Sequence, residues 1–321
     1  MNALTIHDDR GLLHAVVGDG RPLLLLTGLS LLLSGGFALF LTLTGQFLPH
    51  DLQFLGMSAA ELCQLHDCRI VRFMMHDRGA FGGALMAIGV LYLWLVEFPL
   101  RRGEVWAWWT LLLSGLVGFG SFLAYLGYGY LDTWHGTATL LLLPCFAVGL
   151  VRSFIALPAP RHARALLVPA FAPRWTSAAG IGRGCLLATA LGMMGAGLTI
   201  MIVGMTVVFV PQDLAFLGLN TSELQAINRK LMPLIAHDRA GFGGAICTAG
   251  IAVWCCVWCG TPARSLWQVL GLAGGIGFTA AISVHPLVGY NDVAHLAPAI
   301  LGALVLISGL ALSRASMHAN S

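Results

Sequence analysis

Eight long stretches without a single Asp, Glu, Lys or Arg dominate this 321-residue chain: Pro22 to His50, Gly79 to Val96, Val105 to Leu131, Thr133 to Val151, Gly184 to Gln212, Ala240 to Ala263, Ser265 to Asn291 and Val293 to Ser313. A helix needs about 20 apolar residues to cross about 30 Å of hydrocarbon. A buried helix of a water-soluble domain is seldom so long and so free of charge. Charged residues make up 10% of the chain and apolar residues 58%, against about 25% charged in a soluble domain. Such a chain cannot cover a water-facing surface. The expected fold is all-α: a polytopic membrane protein of eight transmembrane helices with the lipid bilayer as its main partner. The first apolar stretch is too long for a signal-peptide core and lacks a small-residue cleavage site after it, so it reads as a span.

Eight spans put both termini on one side. That side carries 11 of the basic residues and the other side 6, so the positive-inside rule places both termini in the cytoplasm, as in a plasma (inner) membrane protein. The net charge of +3 is dispersed. No basic run interleaved with aromatics argues for nucleic acid.

The chain also repeats itself. Phe47-Leu-Pro-His-Asp-Leu-Gln-Phe-Leu-Gly56 matches Phe209-Val-Pro-Gln-Asp-Leu-Ala-Phe-Leu-Gly218 at 7 of 10 positions. His76-Asp-Arg-Gly-Ala-Phe-Gly-Gly-Ala84 matches His237-Asp-Arg-Ala-Gly-Phe-Gly-Gly-Ala245 at 7 of 9. Tyr130-Leu-Asp-Thr-Trp-His135 aligns with Tyr290-Asn-Asp-Val-Ala-His295. The expected organisation is two tandem four-helix repeats, 22–156 and 184–313, joined by a cytoplasmic linker 157–183 and flanked by cytoplasmic segments 1–21 and 314–321. Four spans per repeat give both repeats the same orientation, related by an axis along the membrane normal. Ser58-Ala-Ala-Glu61 and Asn220-Thr-Ser-Glu223 read as capping boxes opening short surface helices.

Polar residues shared by the two copies are the candidate site: His76, Asp77, Arg78, Asp132 and His135 in the first, and His237, Asp238, Arg239, Asp292 and His295 in the second. All are expected at the outer membrane boundary, where spans two, four, six and eight begin. Residues three apart share a helix face, so Asp132 and His135 point at one target. Imidazole with carboxylate suits a transition metal or proton transfer, and His76, His135, His237 and His295 are the candidate metal ligands, with a transition metal or haem as the cofactor class. Arg orients a carboxylate or other anion. The bland alternative is that Asp residues cap helices and Asp–Arg pairs lock the bundle. Asp51 and Asp213, each two residues after a proline, read first as turn residues. His285 reads equally well as a cavity-lining group and as a hydrogen-bonded core residue. Phe81-Gly82-Gly83 and Phe242-Gly243-Gly244 read as close-packing surfaces. Cys63 and Cys68 fall in a polar loop, and five residues apart on one helix is a poor geometry for a disulfide.

The chain has no Walker loop, no H-E-x-x-H and no G-x-S-x-G elbow. The sequence therefore leads to a membrane-embedded enzyme or redox protein acting on a lipid-soluble small molecule near the outer face. The alternatives are a transporter or channel, and an assembly protein whose motifs only lock helices.

Overall fold

A computed structural model describes residues 11, 16–128 and 133–318. Among these residues the chain forms twelve α-helices and no strands. They are α1 (Arg21–Thr44), α2 (Pro49–Leu55), α3 (Ala59–Cys63), α4 (Arg69–Glu97), α5 (Val105–Leu123), α6 (Thr133–Ala156), α7 (Ala178–Met205), α8 (Pro211–Leu217), α9 (Thr221–Ile227), α10 (Leu231–Cys259), α11 (Arg264–Val288) and α12 (Val293–His318). The eight long ones, α1, α4 to α7 and α10 to α12, are each apolar enough to cross a membrane. This is a multi-pass integral membrane protein.

Burial is uneven among the eight. The central helices α4 and α10 have 72% of their most apolar window buried, while α12 has 17%. Outer helices expose Leu140, Leu141, Leu301 and Ile307, which suits a lipid-facing surface. The central pair lies in contact and is flanked by helices from both sequence halves: α1 and α11 pack on α4, and α7 and α5 pack on α10.

Glycine explains that arrangement. A Cβ on Gly82 would meet the Gly35 carbonyl oxygen of α1 at 2.8 Å, and one on Gly83 would strike Ala280 of α11. In the other half a Cβ on Gly243 would meet the Gly197 oxygen of α7 at 2.6 Å, and one on Gly244 would strike Ser121 of α5. Each Phe-Gly-Gly motif thus seats two helices, one on each side, because only a hydrogen side chain lets the backbones approach. The first partner comes from the motif's own half and the second from the other half.

Three helix boundaries differ from the reading between charges. The His-Asp-Arg motifs lie well inside α4 and α10, not at their first turns. Reciprocal ion pairs, described below, let these charges enter the helix interior, so Asp77 and Asp238 are not helix caps. Likewise α7 begins before Arg183, whose guanidinium donates to the Phe171 and Trp258 carbonyls and lies 4.8 Å from the Trp258 ring. The expected capping boxes are present. The Glu61 amide donates to Ser58 Oγ at 3.1 Å and the Ser58 amide to Glu61 Oε2 at 2.7 Å. The Glu223 amide donates to Asn220 Oδ1 at 2.9 Å and the Asn220 amide to Glu223 Oε2 at 2.7 Å. Cys63 and Cys68 are joined by a disulfide. They do not share a helix: α3 ends at Cys63, and His66, Asp67 and Cys68 take positive φ, which turns the chain back.

Candidate functional site

The α4–α11 interface builds the site. Gly83 faces Ala280, Gly79 faces Val284 at 2.9 Å from its hypothetical Cβ, and one turn further His76 meets His285. The two small residues bring the helices close, and the histidines meet at the top of that seam. The start of α12 adds His295, whose ring centre lies 5.4 Å from that of His76 and 5.5 Å from that of His285. One ligand nitrogen from each of His76, His285 and His295 falls within 4.8 Å of the others. His76 and His285 are 3% and 4% exposed.

Hydrogen bonding fixes the tautomers of two of these rings. His76 Nδ1 lies 3.0 Å from Asp77 Oδ1, and His285 Nδ1 lies 2.9 Å from the Ala281 carbonyl oxygen. A carboxylate and a carbonyl only accept, so both Nδ1 atoms carry the proton and donate. In neutral rings both Nε2 atoms are then bare lone pairs, and they face each other at 3.3 Å. Two lone pairs cannot hydrogen-bond. A metal ion between them, or a proton on one of them, resolves the contact. Two nitrogens bound to one tetrahedral ion at about 2.0–2.1 Å stand about 3.3–3.4 Å apart.

A charged shell surrounds the cluster. Asp77 Oδ2 accepts from Arg239 Nε at 3.1 Å, and Asp213 Oδ2 accepts from Arg239 Nη1 at 2.6 Å. The same Nη1 donates to the Val208 carbonyl at 2.7 Å, and the guanidinium stacks 4.8 Å from the Phe73 ring. The Tyr290 hydroxyl donates to Asp213 Oδ1 at 2.8 Å and lies 3.4 Å from His295 Nδ1. Burial, and next the Asp213 charge, push the Tyr290 phenol well above its usual range, so it stays protonated and keeps donating. Two carboxylates face one guanidinium here, leaving an excess negative charge beside three imidazoles.

A matching network lies on the other side of the central pair. Arg78 Nε donates to Asp238 Oδ2 at 3.1 Å, and Arg78 Nη1 donates to Asp51 Oδ2 at 2.6 Å. Each arginine therefore bridges a carboxylate of its own half to one of the opposite half. His237 is buried on α10 with its ring centre 6.2 Å from that of Phe122, and is not one of the three clustered histidines.

The residues singled out in the sequence thus separate. His76, Asp77, Arg239 and His295 converge. Arg78 and Asp238 hold the matching network. Asp292 closes the first turn of α12, its Oδ1 accepting from the His295 amide at 2.7 Å. Asp132 and the side chain of His135 lie outside the described residues, so the expected Asp132–His135 pairing does too. The cluster draws on both halves, whereas the sequence reading gathers each set within one copy; the second glycine of each Phe-Gly-Gly motif, which seats a helix from the opposite half, is the reason. His285, Tyr290, Asp51 and Asp213 gain roles that the sequence reading left open or missed. Both aspartates are completely buried. Each closes its short helix by accepting from the Leu48 or Val210 amide, at 3.0 and 2.8 Å, while also taking an arginine. The signal that pointed to them was their survival in both copies of a ten-residue motif.

An open depression of about 440 Å³ lies over this end of the bundle, lined by residues of α8 and of the α11–α12 connection, with Tyr290 in its lining. Comparison with protein-family models, with curated proteins and with solved structures finds no match.

Proposed function

We propose that this chain is a membrane-embedded metalloprotein, an enzyme or redox protein acting on a lipid-soluble molecule, with a late first-row transition metal held by His76, His285 and His295. The observation that carries this reading is the pair of Nε2 lone pairs facing at 3.3 Å with both Nδ1 protons committed elsewhere. Three imidazoles suit zinc, copper, iron or nickel. Asp77 acts as the outer partner of His76, fixing its tautomer and raising its basicity, as carboxylates do for metal-bound histidines. Arg239 keeps Asp77 in place. A centre sunk at one end of an apolar eight-helix assembly is within reach of a substrate dissolved in the bilayer.

The finer organisation belongs to the same proposal. The reciprocal bridges Arg78–Asp238 and Arg239–Asp77, both 3.1 Å, with Arg78–Asp51 and Arg239–Asp213, both 2.6 Å, support two like-oriented tandem repeats. The excess of arginine on the side of the termini supports a cytoplasmic location for them and an outward-facing centre in a plasma (inner) membrane. The same bridges favour a second reading, in which the charges only lock the central pair. Elemental analysis of protein purified without chelators, with the His295→Ala variant beside it, separates the two. The metalloprotein reading expects bound metal in the native chain and its loss in the variant. Its redox form also expects a short-chain quinol to change the oxidation state of a bound copper or iron. A native chain that takes up no metal leaves the locking role alone.

A further inference from the structure

We infer that the three-histidine centre is loaded through the depression above Tyr290, with Tyr290 as the gate and a hydrated late first-row divalent cation as the species admitted. This rests on the metal reading above. Tyr290 lines the depression yet is only 2% exposed. Its ring stacks between Phe216 and His295, with ring centres 4.6 and 4.7 Å away and interplanar angles of 21° and 28°. The rings of His76 and His285 lie 5.3 and 6.0 Å from it. The Tyr290 ring therefore stands between the opening and the two buried imidazoles, His76 and His285, while His295 is half-buried at the edge of the cluster.

Among the described residues, two other approaches are poor routes for a cation. Toward the membrane interior the seam is closed by Val284 against Gly79, and a hydrated ion would lose its water there without replacement. On the α8–α10 side the approach is filled by the buried Arg239 side chain, packed on the Phe73 and Phe209 rings and clamped by Asp77 and Asp213. The depression differs. Gln212, Asn291 and Asp292 supply amide and carboxylate oxygens at its rim. Oxygen ligands hold such cations loosely, whereas imidazole nitrogens hold them more tightly, so an ion is passed inward and downhill.

The gate can move. Tyr290 lies in the short connection between α11 and α12, next to Gly289 at φ 79°. Its hydroxyl is anchored chiefly by the hydrogen bond it donates to Asp213 at 2.8 Å, with a longer contact to His295 Nδ1 at 3.4 Å. Turning the ring aside breaks that bond and opens the way from His295 to His76 and His285.

The test is the rate at which full-length apoprotein in detergent takes up Zn²⁺, and at which a competing chelator strips it, followed by stopped flow. Losing a hydrogen bond to a charged group changes an equilibrium by about ten- to a hundredfold. Tyr290→Phe, which keeps the ring and loses only the anchor, is expected to speed both uptake and stripping by that factor. Tyr290→Ala, which removes the ring as well, is expected to speed them by at least as much, and the phenylalanine variant guards against its misfolding. Val284→Ala, which loosens the membrane-facing seam, is expected to leave both rates unchanged. Native protein that binds Zn²⁺ while both tyrosine variants load at the native rate overturns the gate. Faster loading in Val284→Ala alone overturns it too, in favour of entry from the membrane. Failure of the native chain to bind any metal is a different result and removes the metal reading itself.

Discussion

Replacing Asp77 with Asn keeps the shape of the side chain and removes its charge. Asp77 accepts from His76 Nδ1 on one oxygen and from Arg239 Nε on the other. An amide has one accepting oxygen and one NH₂ group, so it satisfies only one of these donors and presents a donor to the second. Keeping the Arg239 contact turns NH₂ toward His76, which drives the imidazole proton to Nε2 and blocks that ligand. Outer partners of metal-bound histidines contribute about 10- to 100-fold in affinity, or about 1.4–2.8 kcal/mol. Stability falls as well, but by less than the roughly 3–5 kcal/mol of an abandoned buried charge, because Arg239 retains Asp213 and the Val208 carbonyl. Asp238→Asn is the control. It damages the corresponding bridge to Arg78, which likewise retains Asp51, without touching the three-histidine cluster. Chelator competition for metal affinity and thermal denaturation, measured on both variants, decide the matter. The expected result is a similar loss of stability in both and a loss of affinity in Asp77→Asn alone. Equal affinities in the two variants would refute the tautomer argument and leave Asp77 a purely structural residue.

Three further outcomes follow from the same geometry. Gly83→Val drives a branched side chain into Ala280; overpacking costs about 1–3 kcal/mol, and the separation of α4 from α11 is expected to lower metal affinity as well as melting temperature. Lowering the pH is expected to release the ion, because protons compete with it for the imidazole nitrogens; metal content measured after dialysis over a pH series, at constant ionic strength, should fall on the acid side and recover on return. Asp213→Asn weakens three contacts at once, the closure of α8 and the hydrogen bonds from Arg239 and Tyr290; Arg239 keeps Asp77, so the loss is that of hydrogen bonds to a charged group, about 1.5–3 kcal/mol for one such bond, and is expected to exceed that of Asp77→Asn in a denaturation assay.

The membrane fold was legible because it is written in composition: eight long uncharged stretches admit no other environment. The glycines of Phe-Gly-Gly were legible as packing surfaces for the same kind of reason, since hydrogen side chains have few other uses in a span. Which helices they would seat was not. Nothing local to Gly83 or Gly244 says that its second neighbour comes from the opposite half, and that choice decides which histidines meet. His76 and His295 were legible as candidates because each is repeated. His285 carried a weaker signal, for it stands alone in its span and only a tertiary contact makes it a ligand. Asp51 and Asp213 looked like turn formers because that is what Pro-x-Asp does locally. Their second partner, an arginine 27 or 26 residues away, is invisible to a local reading. The positions of the His-Asp-Arg motifs inside their helices, and not at the first turns, have the same origin, since each charge is compensated from another helix.

X-ray absorption spectroscopy on the metal-loaded chain tests the central claim most directly, since it counts the nitrogens around the ion. The account predicts a single ion per chain with three imidazole nitrogens at about 2.0–2.1 Å, and loss of that imidazole signature in His285→Ala. An ion whose coordination is the same in the native chain and in His285→Ala would contradict it.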